Sequence, residues 1–228
     1  TWYMPKIDLD FAVTVRKTRI QNVGDVAATM TITFTMGGTE YPSNTSDPIG
    51  PGQTWQVFMG NSAATGLPSG LSGVTGSAIV TSDQDAVATV VTANTTESHD
   101  FIYTAASSAS RTSTVLFPQF DKNYAARVWN GGIQVQNIGN VATRVIATFS
   151  GGNLGSDLIS TSDTIDPGDS ARWYGPNVAE DGTGSPLPDG FSGSVTVVTE
   201  EGSGLIAGVY TGRSESVIGD SVGCYNGI

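Results

Sequence analysis

The chain has 228 residues and a single cysteine, Cys224. No intrachain disulfide can form, so stability must come from core burial rather than from cross-links. There is also a single histidine, His99. One His and one Cys are too few nitrogen and sulfur ligands for a zinc cluster. A Ser-His-Asp or Cys-His arrangement would have only that one imidazole to use as its base. Charged residues make up 14% of the chain, against roughly 25% in an average soluble domain. Lys and Arg total 10 against 21 Asp and Glu, a net charge of -11. Apart from Arg16, Lys17 and Arg19, the cations are scattered. Nucleic-acid surfaces need clustered cations to displace counterions, and an anionic bilayer repels an acidic chain, so neither is an expected partner. No apolar run reaches the ~18–20 residues of a membrane span. No stretch holds the apolar i, i+3, i+4, i+7 spacing of an amphipathic helix. No signal-peptide pattern is visible, and the first residue is Thr rather than Met, which is expected of a processed or a trimmed chain.

What is present is Gly, Thr, Ser and Val, and an internal repeat. Ile20-Gln21-Asn22-Val23-Gly24-Asp25-Val26-Ala27 returns as Val135-Gln136-Asn137-Ile138-Gly139-Asn140-Val141-Ala142, 115 positions later. Ile49-Gly50-Pro51-Gly52 returns as Ile165-Asp166-Pro167-Gly168. Leu67-Pro68-Ser69-Gly70-Leu71-Ser72-Gly73 returns as Leu187-Pro188-Asp189-Gly190-Phe191-Ser192-Gly193. Met4-Pro5 matches Phe117-Pro118, and Phe11-Ala12 matches Tyr124-Ala125. Ordered blocks at a nearly constant offset mark a duplicated unit. Both halves are acidic. Residues 1–114 hold 5 basic and 9 acidic side chains (-4), and residues 115–228 hold 5 and 12 (-7).

Within each copy the pattern is that of short strands. Residues 27–36 alternate, with Met30, Ile32, Phe34 and Met36 on one face and Thr29, Thr31, Thr33 and Thr35 on the other, the period-2 pattern of a half-buried strand. Further strands are expected over 13–21, 54–58, 77–82 and 86–92, with Ser82-Asp83-Gln84-Asp85 as a hairpin turn. In the second copy they fall over 128–136, 141–149, 170–174, 194–199 and 205–211. About seven strands per copy, counting a lead-in strand, predict a two-sheet antiparallel sandwich. Trp55 and Trp173 alternate toward that core.

The aromatic-Pro lead-in, the block over 133–140, the Asp-Pro-Gly turn at 166–168 and Leu-Pro-Asp-Gly-Phe-Ser-Gly at 187–193 together resemble the tandem immunoglobulin-like repeats of bacterial secreted and cell-surface proteins. Copy two fits better than copy one, where Gly50 stands for the Asp and Leu71 for the Phe. The resemblance implies an all-β chain of two tandem immunoglobulin-like β-sandwiches. The expected boundaries are repeat 1 over 1–93, a linker over 94–114, repeat 2 over 115–212 and a tail or junction segment over 213–228. It also implies an extracellular, adhesive, sheath-forming or fibre-forming role, with no catalytic residues and no cofactor.

The ends carry a further expectation. Phe101-Ile102-Tyr103-Thr104-Ala105 follows the last strand of copy one, and Gly223-Cys224-Tyr225-Asn226-Gly227 holds the same place after copy two. Thr1-Trp2-Tyr3-Met4-Pro5 has the form of Thr114-Val115-Leu116-Phe117-Pro118. Such ends look like two sides of a junction between modules. Head-to-tail stacking through Thr1–Pro5 and Cys224, Tyr225, Asn226, Gly227 and Ile228 would build a homopolymer, because a repeated contact that does not close generates a filament. A terminal strand added to a neighbour's sheet edge is one way to make the joint. The alternative is a carbohydrate-binding or adhesive accessory module of a larger secreted protein, with Trp2, Trp129 or Tyr124 as platforms for surface glycans.

The remaining candidates carry less chemistry. Cys224 reads as a small hydrophobe or an intermolecular disulfide partner. Asp163, Asp166 and Asp169 near one turn, and Asp83 and Asp85 near another, match no EF-hand loop and are accounted for by turn chemistry. Asn44-Thr45-Ser46 and Asn94-Thr95-Thr96 are glycosylation sequons in predicted loops. Lys6, Lys17 and Lys122 do not coincide between the copies, which argues against a shared isopeptide cross-link.

Overall fold

Side chains of an extended chain point alternately to its two faces, so a run with one apolar face settles as a strand over a core. The computed structural model describes residues 1–9, 14–59, 65, 67–68, 71, 73–94, 99–126, 128–202, 204–214 and 222–227. It is all-β and antiparallel, and it divides into two units, Thr1–Ser110 and Arg111–Ile228.

In unit 1 the strands are β1 (Trp2–Leu9), β2 (Thr14–Asn22), β3 (Met30–Met36), β4 (Thr39–Glu40), β5 (Asn44–Thr45), β6 (Thr54–Phe58), β7 (Val74–Ser82), β8 (Ala86–Asn94), β9 (His99–Thr104) and β10 (Ala106–Ser107). One sheet runs β10-β1-β7-β3-β4, with β5 also on β3, and the other runs β6-β2-β8-β9. Unit 2 contains β11 (Thr114–Lys122), β12 (Trp129–Asn137), β13 (Val145–Ser150), β14 (Leu158–Thr161), β15 (Ser170–Tyr174), β16 (Phe191–Thr199), β17 (Ile206–Ser214) and β18 (Val222–Asn226). Its sheets run β11-β16-β13-β14 and β15-β12-β17-β18.

Both units are sandwich-like, with a core drawn from both sheets. Met30, Ile32, Phe34 and Met36 are all buried, as their alternation predicts. In unit 2 the core holds Phe117, Phe120, Phe149, Phe191 and Trp173 with Ile133, Val135, Val195 and Val197. Phe120 meets Phe149 edge-on at 5.0 Å. Val57 is fully buried in unit 1, while Trp55 beside it is half-buried.

The repeated Gln-Asn-x-Gly block turns out to be a clamp. Asn137 is fully buried. Its Nδ2 donates to the carbonyls of Val141 (2.9 Å) and Ile165 (2.9 Å), and its Oδ1 accepts from the Gly139 amide at 2.9 Å. Asn22 repeats this with Val26 (2.7 Å), Ile49 (2.8 Å) and Gly24 (2.9 Å). The main chain of each Asn joins the Pro-Gly turn: Asn137 N–H donates to Asp169 O and its carbonyl accepts from Gly168 N, as Asn22 does with Gln53 and Gly52. Gly52 and Gly168 hold φ of 72° and 86° after a proline, the third position of a type II turn, where a side chain would be strained. The preceding glutamine completes the joint, with Gln21 Nε2 donating to Gly52 O (3.0 Å) and Gln136 Nε2 to Gly168 O (2.9 Å).

A second device joins the two sheets of each unit. The pairing of β1 with β7 slips between Met4 and Ile7, and that of β11 with β16 slips between Phe117 and Phe120. Such a bulge leaves backbone groups unpaired. Tyr225, on the opposite sheet, accepts from the Gln119 amide at 3.0 Å and donates to the Gln119 carbonyl at 2.7 Å. Tyr103 does the same for Lys6, whose amide lies 3.2 Å from the phenol.

Four expectations change. The stretch 94–114 is not a free linker: His99–Thr104 pairs with β8, and Ala106–Ser107 pairs with β1. The stretch 213–228 is not a loose tail, since Val222–Asn226 pairs with β17. The strands number ten and eight among the described residues rather than about seven in each unit. The glycine matching Gly193 is Gly76, not Gly73. Gly76 lies opposite Ile7 and Gly193 opposite Phe120, and a Cβ at either would collide with a carbonyl oxygen, that of Thr35 or Ser150. Copy one therefore carries three extra residues before this strand. Phe11, Ala12, Ser69, Gly70 and Ser72, which also entered the matched blocks, lie outside the described residues.

The Asn137→Ala substitution takes the side-chain partner from the Val141 carbonyl and the Gly139 amide, while the Ile165 carbonyl keeps the Thr143 amide at 3.0 Å, and should cost about 2 kcal/mol. Asn137→Asp keeps the acceptor but turns a carboxylate oxygen toward two carbonyls, so it should cost at least as much. Urea denaturation of the full chain would measure both.

Candidate functional site

The two chain ends are built differently. Thr1 is exposed and Trp2 half-buried, but Tyr3 and Met4 are 6% and 0% exposed and Pro5 is buried. Trp2 and Tyr3 pair with β10 on one side and β7 on the other. Residues 2–5 therefore lie inside unit 1's own sheet, and they are not free to enter a neighbour's. This corrects the expectation of an available N-terminal strand: its backbone groups are used within the unit and Met4 fills the core.

At the other end, β18 forms a sheet edge. Cys224 is half-buried, lies opposite Thr211 and is in no disulfide. Tyr225 stacks on Tyr210 with centroids 4.7 Å apart. Asn226 is exposed, and the Gly227 amide donates to Gly208 O at 2.9 Å. Gly227 packs so closely on Val115 and Phe117 that no side chain fits there. Ile228 lies outside the described residues. The edge strand β11 runs alongside, and its Leu116 is 44% exposed.

Beneath Tyr225 lies a buried acid. Asp121 is 1% exposed. Its Oδ2 accepts from Gln119 Nε2 at 2.7 Å and from the Tyr210 hydroxyl at 3.4 Å, while Oδ1 has no partner among the described residues. The matching Asp8 in unit 1 forms an ion pair with Lys6 at 2.9 Å and accepts from Thr75 Oγ1 at 2.6 Å. Gln119 thus stands where unit 1 has a cation. Burial, with the Asp121 carboxylate adding to it, pushes the Tyr210 hydroxyl far above its ordinary value. Burial likewise raises Tyr225 from 10.0 to about 12, partly offset by its bond to the Gln119 backbone.

The other candidates fall as follows. Tyr124 and Trp129 face each other across the β11–β12 turn, with reciprocal amide-to-carbonyl bonds of 3.0 Å. Trp2, Asp25, Val26, Asp83, Gln84 and Asp85 line part of an open cleft of about 600 Å³ in unit 1. Asp83 Oδ1 is taken by the Thr29 amide at 2.8 Å, and Asp169 Oδ1 by the Ser170 amide at 2.7 Å. Desolvation and the nearby Asp166 raise the Asp169 pKa against that bond. No group of three or more His, Cys, Asp or Glu among the described residues is placed to hold a metal ion. Asn44 pairs with Ile32, and Asn94 ends β8 opposite His99. Both sequons thus begin in strands rather than in the predicted loops. Lys122 is buried, bonded to the Leu187 carbonyl and 3.4 Å from Asp189. The sequence reading missed the roles of Tyr103, Tyr225 and Asp121. The tyrosine at the same place in both end segments was the one available signal.

No family model matches the chain. No curated protein matches it either. Among solved structures it is similar to the crystal structure of Thermotoga maritima 1070, with a TM-score of 0.38 and 12% identity over 52% of this chain and 95% of that one.

Two outcomes follow from the Tyr225–Asp121 region. A phenol whose folded pKa is raised adds stability that is fully present below its unfolded value and lost as pH climbs through the folded one. Stability should therefore hold to about pH 10 and fall between about 10 and 12, with a shallower fall in Tyr225→Phe, as read from urea midpoints against pH. Gln119→Lys should recreate the Lys6–Asp8 pair in unit 2 and raise its stability by about 1 kcal/mol, measured by thermal melting.

Proposed function

We propose that the chain is an extracellular structural protein of a bacterial cell surface, built from two tandem immunoglobulin-like sandwiches and assembled head to tail into a filament. It is non-enzymatic and needs no cofactor. The observation that carries the assembly is a difference between matched sheet edges. In unit 1, β10 covers β1 at Trp2 and Tyr3. In unit 2, the matching positions Val115 and Leu116 lie on the outer strand of their sheet, with no strand beyond them among the described residues.

An uncovered edge with an exposed leucine is a template for an extended segment of another chain. The joint in this reading is the β11 edge of one copy against an uncovered sheet edge of unit 1 in the next. It differs from donation of the N-terminal strand, because β1 stays in its own sheet. Repeating a contact of this heterologous kind without closure produces a fibre. The low Lys content and the Thr-, Ser- and Gly-rich strands favour an exported module over an intracellular one.

Negative-stain electron microscopy of the concentrated protein is the test. Wild type should form fibres with a regular axial repeat. Leu116→Lys, which places a charge on the edge, should leave dispersed monomers with an unchanged melting temperature. A wild type that stays strictly monomeric at high concentration would sink the proposal.

A further inference from the structure

Almost every described residue with positive φ is a glycine. The three that are not, Asn123 (φ 46°), Ala125 (58°) and Val128 (51°), all lie in the turn between β11 and β12. Asn tolerates that region, but a β-branched residue there is a genuine outlier. Strain of this kind persists where surrounding structure imposes it, and it concentrates at sites that need a fixed geometry.

The fixed geometry here is an aromatic pair. Tyr124 and Trp129 exchange both backbone hydrogen bonds at 3.0 Å. They are therefore directly opposite each other, and their side chains leave the same face of the hairpin. Tyr124 is 43% exposed and Trp129 is partly exposed. The phenol hydroxyl and the indole N–H have no hydrogen-bond partner among the described residues. Polar groups stand alongside: Asn123 Nδ2 donates to Asp189 Oδ1 at 2.9 Å, and the Asp189 side chain is 74% exposed. Unit 1 has Thr14 at the strand position that matches Trp129.

Two ring faces with polar tips suit a ligand whose own surface alternates C–H faces and hydroxyl edges. The C–H face of a sugar ring carries the positive potential that an aromatic face attracts, and its hydroxyls can meet the indole N–H and the phenol. Charge narrows the class. Residues 115–228 hold 12 acidic and 5 basic side chains, which repels polyanions. We propose that the β11–β12 hairpin tip is a binding site for a neutral polysaccharide, with Tyr124 and Trp129 as stacking platforms. The site is independent of the assembly edge at Leu116, so either proposal can fail alone.

Affinity electrophoresis of the full chain tests it, in native gels containing hydroxyethyl cellulose, mixed-linkage β-glucan or galactomannan, with alginate as the anionic control. At least one neutral polymer should retard wild type. Tyr124→Ala and Trp129→Ala should each weaken retention about tenfold, the loss of one aromatic stacking contact, while Tyr124→Phe should keep most of it. Tyr124 is exposed, so its variants retain the fold even if Trp129→Ala lowers the melting temperature. The proposal is overturned if no neutral polymer retards the protein, or if Tyr124→Ala migrates like wild type in every gel. Retention by alginate alone, or binding to a poly-L-proline peptide in place of any glycan, overturns it equally.

Discussion

A buried carboxamide holds three loops together in each unit, and most of the architecture is arranged around it. A chain with no disulfide has to fix its loops by packing and hydrogen bonds alone. An Asn side chain offers two donors and an acceptor within one rigid plane. In unit 2, Asn137 spends all of these on Val141, Ile165 and Gly139, and its own peptide groups reach the Pro-Gly turn. The Gly139 amide would otherwise lack a partner, and the Ile165 carbonyl would keep only the Thr143 amide; backbone bonds left unmade are costly. The clamp thereby sets where β12 ends, delays the start of β13, and seats the turn before β15.

The tyrosine at the far sheet acts one level up. A bulge at Pro118–Gln119 bends β11 over the core. Tyr225 closes that bulge from the opposite sheet, and Tyr103 does so in unit 1. Because this hydroxyl must arrive from a strand after β8 or β17, the segments His99–Thr104 and Val222–Asn226 are held as strands. Holding them determines which edges stay open. In unit 1 the chain then crosses to cover β1, and in unit 2 the matching edge at Leu116 is uncovered among the described residues. The proposed assembly follows from that asymmetry rather than from the likeness of the two ends.

Much of this was legible in the residues. Alternation located Met30–Met36 and its inward side chains because a strand with one wet face leaves a period-2 trace. The duplicated Asn block and Pro-Gly turn were visible as a pattern, yet their contact was not, since it joins residues 27 or 28 positions apart. Strand β9 was read as linker because His99-Asp100 opens it without an apolar alternation. Strand β18 hid for a similar reason, with Gly223 and Cys224 in place of large apolar groups. The Gly73–Gly193 match slipped by three because identical letters outweighed the steric demand that only Gly76 meets. Sequence likeness of Thr1–Pro5 to Thr114–Pro118 suggested two free ends, but pairing with β10 buries the first of them. The strain at Val128 left no trace in composition, since nothing about a valine announces a positive φ.

The clamp makes a demand that ordinary turns do not meet. Turn amides near a surface normally exchange with solvent through small local openings. Native-state hydrogen exchange of the Gly139 and Gly168 amides, beside those of β12 and β17, addresses this directly. If Asn137 holds unit 2 together, both glycine amides exchange only with global unfolding of that unit, at the protection of its central strands, and Gly24 and Gly52 behave alike in unit 1. Rapid exchange of Gly139 and Gly168 while β12 and β17 stay protected would contradict the account, and would make the buried asparagine a passenger of the fold.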